Sequence, residues 1–345
     1  MDITQLSQQL KTKTPAMVYL VLGTQQVLQQ QAIDSFINLI PADEQVMNVG
    51  RYDMEATPLA VALDDAMAAP FFGERRLVII NKPYFLTGEK KRSKIDHDLD
   101  SLKQYLEHPE PTTVLVFAAP YEKLDGRKGI VKQLKKVAVQ VDAAPLNEQQ
   151  ARQKVVAQLA QDNFQISGDA LDELVQRTNA DYGMMDANLA KLKLLAYQEK
   201  AIDKQMVASL VPQSLDENVF DLVTAVLGHN QVRALDLYRQ LLAGQQQPLR
   251  INAVLVSQFR LLIQIKVLSK RGLSQGNLAS QLNVHPYRVK LGLQTVRQFS
   301  LIALENAYLG LIRIEQSLKT TQRDPALLFQ LFMLQYSQQK QQPGA

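Results

Sequence analysis

Short apolar runs alternate with amphipathic segments along the first 143 residues of the chain. Continuous apolar runs bounded by glycine, proline or polar residues are typical of strands that are buried on both faces of a parallel sheet. Five strands are predicted at 17–23, 45–49, 77–80, 114–118 and 137–141. The segments between them have helical spacing, and Thr24 is the predicted N-cap of the first. The pattern therefore predicts an open three-layer α/β domain with a parallel five-stranded sheet.

From residue 146 onward the apolar positions follow helical spacing and give no strand signal. Asn147, Ser167 and Asp181 are predicted N-caps of three amphipathic helices, because their side chains accept hydrogen bonds from the free N–H groups of a first turn. The segment 253–268 is apolar nearly all round, which predicts the buried centre of a helix bundle. The predicted class is thus α/β plus all-α. Its domains are an α/β domain (1–143), a small helical lid domain (144–212) and a C-terminal helical bundle (213–345).

Composition limits the classes of function. Of the 345 residues 46% are hydrophobic and 21% charged, an ordinary balance for a chain that buries sizeable cores. The absence of cysteine excludes disulfides and cysteine-ligated zinc. No apolar run in the sequence approaches the roughly 18 residues that span a bilayer, and the first residues lack the features of a signal peptide. We therefore expect a cytoplasmic protein with no membrane partner.

Two consecutive aromatic residues lie at the predicted joint between a helix that ends near Met67 and the strand 77–80. Phe71 and Phe72 follow Pro70 and precede Gly73, and proline and glycine favour a surface turn. Two phenylalanines on a turn would expose an apolar patch, which soluble proteins seldom do without purpose. The residues alone leave two alternatives. The patch binds a partner, or one ring packs under the helix while the other caps the sheet.

The first strand ends in glycine and opens a helix, which is where a phosphate-binding loop would lie. The segment beginning Gly23-Thr24 has one glycine, no lysine and no second hydroxyl, so little would compensate the charge of a nucleotide. The third strand ends at Asn81 rather than at the acidic residue that usually holds magnesium. Met184 takes the place of the arginine in the usual lid signature. The sequence therefore predicts an ATPase-shaped protein without ATPase activity and without a cofactor.

Other catalytic patterns are weak. The four histidines lack metal-ligand spacing, and the acidic residues at 96–100 lack the glycine and distal glutamate of a calcium loop, so we expect neither a catalytic residue nor a metal site. Basic side chains cluster at 89–94 and again at 123–136. The second cluster includes Lys123, Arg127, Lys128 and Lys132. Such clusters are commonly solvated faces, and the functional alternative is contact with DNA phosphates or with a neighbouring subunit.

The segment 274–290 has the rhythm of a helix, a short turn and a second helix that opens at Pro286. A DNA-reading helix-turn-helix has this rhythm, but so do many helix bundles. Only Arg288 and Lys290 could face DNA early in the second helix. A helix-turn-helix DNA-binding regulator is therefore kept as the alternative function.

The whole chain resembles the delta subunits of bacterial DNA polymerase III clamp loaders. The most specific matches are Pro70-Phe-Phe-Gly-Glu-Arg-Arg-Leu-Val-Ile-Ile80, and Gln258-Phe-Arg-Leu-Leu262 followed by Leu282-Asn-Val-His-Pro286. More modest matches, in chain order with these, are Tyr19-Leu-Val-Leu-Gly23, Lys123-Leu-Asp-Gly-Arg127 and Asn218-Val-Phe-Asp-Leu222. The matches cover nearly the whole chain in the order and spacing of the family.

Members of this family look like AAA+ proteins that have lost ATP binding. The resemblance implies a non-catalytic subunit of the polymerase holoenzyme that joins the tau/gamma ATPases and the delta-prime subunit through its C-terminal collar. It also implies binding to the beta sliding clamp, whose ring such subunits help to open for loading onto primed DNA. The implied clamp-binding residues are Met67, Pro70, Phe71 and Phe72. Many members have Leu-Phe at this tip, so Phe72 is the expected replacement for the other apolar contact.

Overall fold

The computed structural model describes residues 1–88, 95–212 and 215–338. The basic cluster at 89–94 and the polar tail after residue 338 lie outside the described residues. The chain forms two compact units, Met1–Leu146 and Asn147–Ala345. Each contains an apolar core of its own.

The N-terminal unit alternates helices and strands. Its elements are α1 (Ile3–Thr12), β1 (Val18–Leu22), α2 (Gln26–Ile37), α3 (Gln45–Asn48), β2 (Val49–Asp53), α4 (Leu59–Met67), β3 (Arg76–Asn81), α5 (Leu99–Glu107), β4 (Thr113–Ala119), α6 (Gly129–Val137) and β5 (Val139–Asp142). A 3₁₀ turn, Tyr84–Leu86, follows β3. The strands form one parallel five-stranded sheet in the order β2-β3-β4-β1-β5.

The sheet is covered on both faces because its central strands are apolar throughout. Val78, Leu115 and Val18 lie side by side in register on one face and pack with α4, α5 and α6. Tyr19 points to the opposite face, where its ring lies 4.7 Å from that of Phe36 in α2. This is the predicted three-layer α/β arrangement, and the predicted fold class is confirmed.

The C-terminal unit is mainly helical. Its elements are α7 (Glu148–Gln161), β6 (Gln165–Ile166), α8 (Gly168–Arg177), α9 (Tyr182–Leu195), β7 (Ala201–Ile202), α10 (Lys204–Leu210), α11 (Leu215–Leu227), α12 (Gln231–Ala243), α13 (Pro248–Ser269), α14 (Gln275–Leu282), α15 (Pro286–Gln298), α16 (Leu301–Thr320) and α17 (Pro325–Gln338). An ion pair of 2.7 Å joins Glu148 of α7 to Lys290 of α15, within this one unit. The predicted division at residue 212 into lid and collar domains stays a prediction.

Helix α13 forms the centre of the C-terminal core. Leu255 and Phe259 are fully buried, with Ile265 at the same depth near the helix end. The sequence showed no membrane-spanning run, yet α13 is the one helix in the described ranges that is long and apolar enough to cross a bilayer. A buried core helix passes the same test, and the packed residues of α13 account for its composition. Nearby, the rings of Tyr238 and Phe329 stack at 4.2 Å and 3°.

The predicted helix starts in the C-terminal unit agree with the structure. The Asn147 side chain accepts a hydrogen bond of 2.9 Å from the N–H of Gln150. Ser167 caps α8, and Asp181 caps α9. These three residue types succeed as predictors because each carries a short oxygen acceptor that reaches the first turn.

Four details of the fold differ from prediction. Residues 45–48 form the short helix α3 rather than a strand, and β2 begins only at Val49. Helix α2 begins at Gln26 with Gln25 rather than Thr24 at the N-cap. The strands β6 and β7 pair in parallel within the predicted lid, and each is two residues long, too short to show a period-two pattern. The sequence analysis also did not predict α1, which packs on the sheet with Leu6 fully buried.

The contrast between buried and exposed leucines of α16 provides a stability test. Leu311 is fully buried, whereas Leu309 on the same helix is 53% exposed. We expect Leu311→Ala to lower the free energy of unfolding by about 2–5 kcal/mol, because it removes buried methyl groups and leaves a cavity. The matched variant Leu309→Ala should cost less than about 1 kcal/mol. Denaturant unfolding followed by helical circular dichroism measures both, and equal losses would contradict this description of the core.

Candidate functional site

The segment 68–75 connects the end of α4 to the start of β3, and an ion pair closes its base. The Arg76 guanidinium pairs with the Asp65 carboxylate, so that the last turn of α4 is tied to the first residue of β3. Arg76 also donates a hydrogen bond of 3.4 Å to the carbonyl of Ala69. Burial, and then the adjacent Asp65 carboxylate, raise the pKa of Tyr52 to about 12. The two ends of the segment are therefore held together by charge.

The tip of this segment carries the exposed aromatic residues that the sequence singled out. Phe71 is 54% exposed and Phe72 80%, and their rings meet edge to face with centroids 4.8 Å apart. Met67 at the end of α4 is 57% exposed, and Pro70 is partly buried. Neither ring is buried under the helix or against the sheet. The alternative that one ring packs under the helix while the other caps the sheet is therefore wrong. All four predicted residues lie at this one helix-to-strand connection.

The backbone at the tip adopts a conformation that few residues favour. Phe72 has a φ of 57° and Gly73 a φ of 73°, both in the left-handed region. The fully buried Asn48, at the end of α3, is hydrogen-bonded to the backbone of Phe71 and Phe72. Sequence analysis missed Asn48, because it took residues 45–49 for a strand and a lone asparagine carries no pattern that predicts a long-range backbone contact.

A buried glutamine bonds the backbone at the carboxyl end of β1, where a phosphate-binding loop would begin. The Gln29 amide is buried and donates to the carbonyls of Gly23 at 3.0 Å and Ala119 at 3.1 Å, with a longer bond of 3.3 Å to Val21. Gly23 has a φ of 145°, and a Cβ there would lie 2.0 Å from the carbonyl carbon of Ala143. This glycine thus serves close backbone packing, while Thr24 is exposed.

The end of β3 carries a neutralised positive charge. Asn81 is the last residue of the strand, and the next residue, Lys82, pairs with Asp53 at 2.7 Å and Glu55 at 3.0 Å. These hydrogen bonds raise the pKa of Lys82 above its ordinary value. Burial opposes ionisation of Asp53, but hydrogen bonds from Lys82 and from the Glu55 backbone outweigh it and hold the pKa of Asp53 below its usual value. The carboxylates at this edge therefore already have a cation of the protein's own.

The remaining predicted member of the degenerate nucleotide site, Met184, lies in the C-terminal unit. It sits in the first turn of α9, where its N–H donates to the Asp181 side chain at 2.8 Å, and its own side chain is 44% exposed. A thioether offers a phosphate no positive charge.

The four residues singled out in the 123–136 cluster, which has six basic side chains, have different roles in the structure. Lys128 donates to the carbonyls of Phe85 at 2.8 Å and Thr87 at 2.7 Å, so its ammonium holds the 3₁₀ turn. Arg127 pairs with Asp125, and hydrogen bonds from Arg127 lower the pKa of Asp125 to about 2. Lys123 and Lys132 are exposed. The structure thus gives Lys128 an internal partner and leaves Lys123 and Lys132 facing solvent.

The second helix of the helix-turn-helix-like segment is packed within the C-terminal unit. Lys290 of α15 pairs with Glu148, and Arg288 lines a cavity of about 280 Å³ together with Asp221 and Tyr287. Burial raises the pKa of Asp221 above its usual value. A Cβ on Gly292 would lie 2.5 Å from the Ile265 side chain, which shows how closely α15 approaches α13. Both basic side chains that DNA reading would require are therefore partly buried, and Lys290 is already paired with a carboxylate of the same unit.

Within the described ranges, no group of three or more His, Cys, Asp or Glu side chains is placed to hold a metal ion. The arrangement at the 68–75 segment offers apolar contact rather than acid–base or nucleophilic chemistry.

Comparison with known proteins agrees with the architecture. A family model described as "DNA polymerase III, delta subunit" matches residues 19–144, and one described as "DNA polymerase III delta subunit, C-terminal domain" matches residues 216–336. The DNA polymerase III subunit delta of Bacillus subtilis (strain 168) is 36% identical over 320 residues, which are 92% of each chain. The solved structure of the Bacillus subtilis DNA clamp loader delta protein superposes with a TM-score of 0.77 at 34% identity. That match covers 97% of this chain and 99% of the other.

A subunit of a replicative clamp loader is the class of protein that these matches define. The chain belongs to the DNA polymerase III delta subunit family, and the predicted family is confirmed. This membership supports a role in DNA replication.

The hydrogen bonds of the buried Gln29 amide can be tested by substitution. We expect Gln29→Leu to lower the free energy of unfolding by about 1–3 kcal/mol, because it leaves buried carbonyls without their donor. The control, Gln30→Leu, changes an exposed neighbour on the same helix and should stay within about 0.5 kcal/mol of the wild type. Chemical denaturation compares the two variants. A neutral Gln29→Leu would mean that these carbonyls do not depend on the amide.

Proposed function

We propose that this chain binds the beta sliding clamp through the 68–75 segment and helps to open the clamp ring for loading onto primed DNA. The observation that carries this proposal is the exposure of Phe71 and Phe72 on a turn whose backbone is held from below. Exposed aromatic rings on an ordered segment are the kind of anchor that dominates small protein–protein interfaces. The contact residues in this proposal are Met67, Pro70, Phe71 and Phe72.

The physical chemistry of the turn suits a docking role. Each aromatic anchor that enters an apolar pocket contributes roughly 2 kcal/mol or more to binding. A turn that is already ordered loses little conformational entropy when it docks. Ring opening then follows from differential binding, since a surface that fits an open clamp interface better than a closed one shifts the equilibrium toward the open ring.

The subunit acts without hydrolysing ATP, in this proposal, and needs no cofactor. The segment after β1 has one glycine and no lysine to receive phosphates, and Asn81 followed by Lys82 stands where a magnesium ligand would be needed. In this proposal the subunit shifts the clamp toward the open ring by binding energy alone, and ATP hydrolysis in the assembled loader belongs to the ATPase partners.

The partners of this role are the tau/gamma ATPases and the delta-prime subunit, joined through the C-terminal helical collar. Primed DNA is reached through the assembled complex, and a cytoplasmic location goes with this role. Lys123 and Lys132 are the better candidates for DNA or subunit contact because they are exposed, whereas Lys128 is engaged with backbone carbonyls. The alternative function, a helix-turn-helix DNA-binding regulator, is disfavoured because Lys290, one of its two basic side chains, already pairs with Glu148.

Removal of the two exposed rings tests the clamp contact. We expect the double variant Phe71→Ala/Phe72→Ala to bind its own organism's sliding clamp at least about 100-fold more weakly, because two anchors of roughly 2 kcal/mol each are lost. Surface plasmon resonance with immobilised clamp measures the affinity. The control is Leu194→Ala/Tyr197→Ala, which removes two exposed side chains of the C-terminal unit (75% and 67% exposed). Unchanged binding by the phenylalanine variant would move the contact elsewhere.

A nucleotide titration tests the second part of the proposal. The purified wild-type chain, titrated with a fluorescent ATP analogue and magnesium, should give no saturable signal at micromolar concentrations. The reason is that the segment that follows β1 has one glycine and lacks the lysine of a phosphate-binding loop. Its own organism's clamp-loader ATPase subunit, titrated under the same conditions, is the positive control. Micromolar binding by this chain would revive an active ATPase with an unusual site.

A further inference from the structure

We propose that Asn48 is the positioning residue of the clamp-binding turn, an inference that rests on the proposed function. Asn48 ends α3, twenty-three residues before Phe71 in the chain, and its side chain has no solvent exposure. It is one of the few buried polar side chains of the N-terminal unit. Its buried amide faces the turn that carries the two exposed rings.

The hydrogen bonds of Asn48 use the whole amide. Its Oδ1 accepts a hydrogen bond of 2.7 Å from the N–H of Phe71. Its Nδ2 donates to the carbonyls of Phe71 and Phe72, each at 3.1 Å. A group with an acceptor and two donors on one planar head is what this backbone requires, and among side chains of this length only asparagine supplies it.

The backbone that Asn48 holds would not keep its shape unaided. Phe72 is left-handed, with a φ of 57°, although it carries a bulky side chain. That conformation costs free energy and persists only where the surroundings enforce it. The second fixed point is Gly73, against which the carboxylate of Glu44 lies where a Cβ would project. Glu44 is the N-cap residue of α3 and Asn48 is its last residue, so both contacts to the turn come from this one short helix.

The backbone conformation of the turn sets the direction in which the rings of Phe71 and Phe72 point. Phe71 and Phe72 are adjacent residues whose rings point outward together only while the chain turns between them as it does here. Without the amide of Asn48 the turn would sample other conformations, and the rings would have to be ordered on docking. Asn48 therefore touches no part of the clamp and acts through the two phenylalanines.

Amide hydrogen exchange tests the positioning without any clamp present. We expect Asn48→Ala to speed exchange of the Phe71 amide at least about tenfold, because that N–H loses its buried acceptor. The matched control is Gln45→Ala. Gln45 lies on the same short helix but donates to the carbonyls of Ile37 and Ile40, away from the turn. The control should leave Phe71 exchange unchanged.

Clamp affinity, measured on the same proteins, tests the consequence. Asn48→Ala should bind the clamp roughly tenfold more weakly, with Gln45→Ala near the wild type. The loss should shrink in a Phe71→Ala background, since Asn48 acts through that ring, whereas a general loss of stability would weaken both backgrounds alike. Asn48→Asp, similar in volume but without the two amide donors, is the second variant if Asn48→Ala does not fold. It should also weaken binding.

Two results would overturn the proposal. One is unchanged Phe71 exchange in a folded Asn48→Ala protein. The other is an Asn48→Ala protein in which the Phe71 amide exchanges faster but the affinity for the clamp equals that of a wild type that binds. A wild type that fails to bind the clamp at all would instead remove the proposed function. In that case the exchange experiment would still decide whether Asn48 orders the turn.

Discussion

Side-chain donors that satisfy backbone carbonyls hold the irregular parts of the N-terminal unit in place. Gln29 does so at the carboxyl edge of the sheet, Asn48 beneath the aromatic turn, and Lys128 around the 3₁₀ turn after β3. Each donates to carbonyls at a strand end or in a connecting segment. An unpaired buried carbonyl costs about 1–3 kcal/mol, so each donor fixes one local path of the chain.

A buried side-chain amide bonded to backbone carbonyls has different consequences at Gln29 and at Asn48. At the sheet edge, the buried amide of Gln29 ties the end of β1 to the end of β4. Beneath the turn, the amide of Asn48 bonds the backbone of two residues whose apolar rings lie in solvent. The same chemistry thus secures a junction inside the core at one place and an exposed aromatic turn at the other.

Most of the fold could be predicted because the signals are local. The apolar runs of β1, β3 and β4 were sufficient, since strands buried on both faces need no alternation, and the N-caps of α7, α8 and α9 were visible as single residue types. The α3 segment misled because Val46 and Met47 suggested a strand, whereas both are exposed on a short helix. A four-residue helix offers too little periodicity to be distinguished from a strand.

The candidate site could be predicted only in its outward part. Proline, two phenylalanines and glycine in succession indicated an exposed turn, and the structure places both rings in solvent. The residues that support the turn come from a segment more than twenty positions earlier, and that contact depends on how α3 packs. Gln29 was missed for a related reason, because a glutamine on an amphipathic helix is ordinarily solvated.

The left-handed backbone at Phe72 also bears on how this chain would respond to selection. Glycine or asparagine would adopt that φ at less cost than phenylalanine does. Directed evolution that rewarded only heat resistance would therefore tend to replace this residue, and it would discard an exposed ring with no penalty to folding. The phenylalanine is the poorer choice for the folded state taken alone. Under the proposed function, this is a position where recognition and thermal stability favour different amino acids.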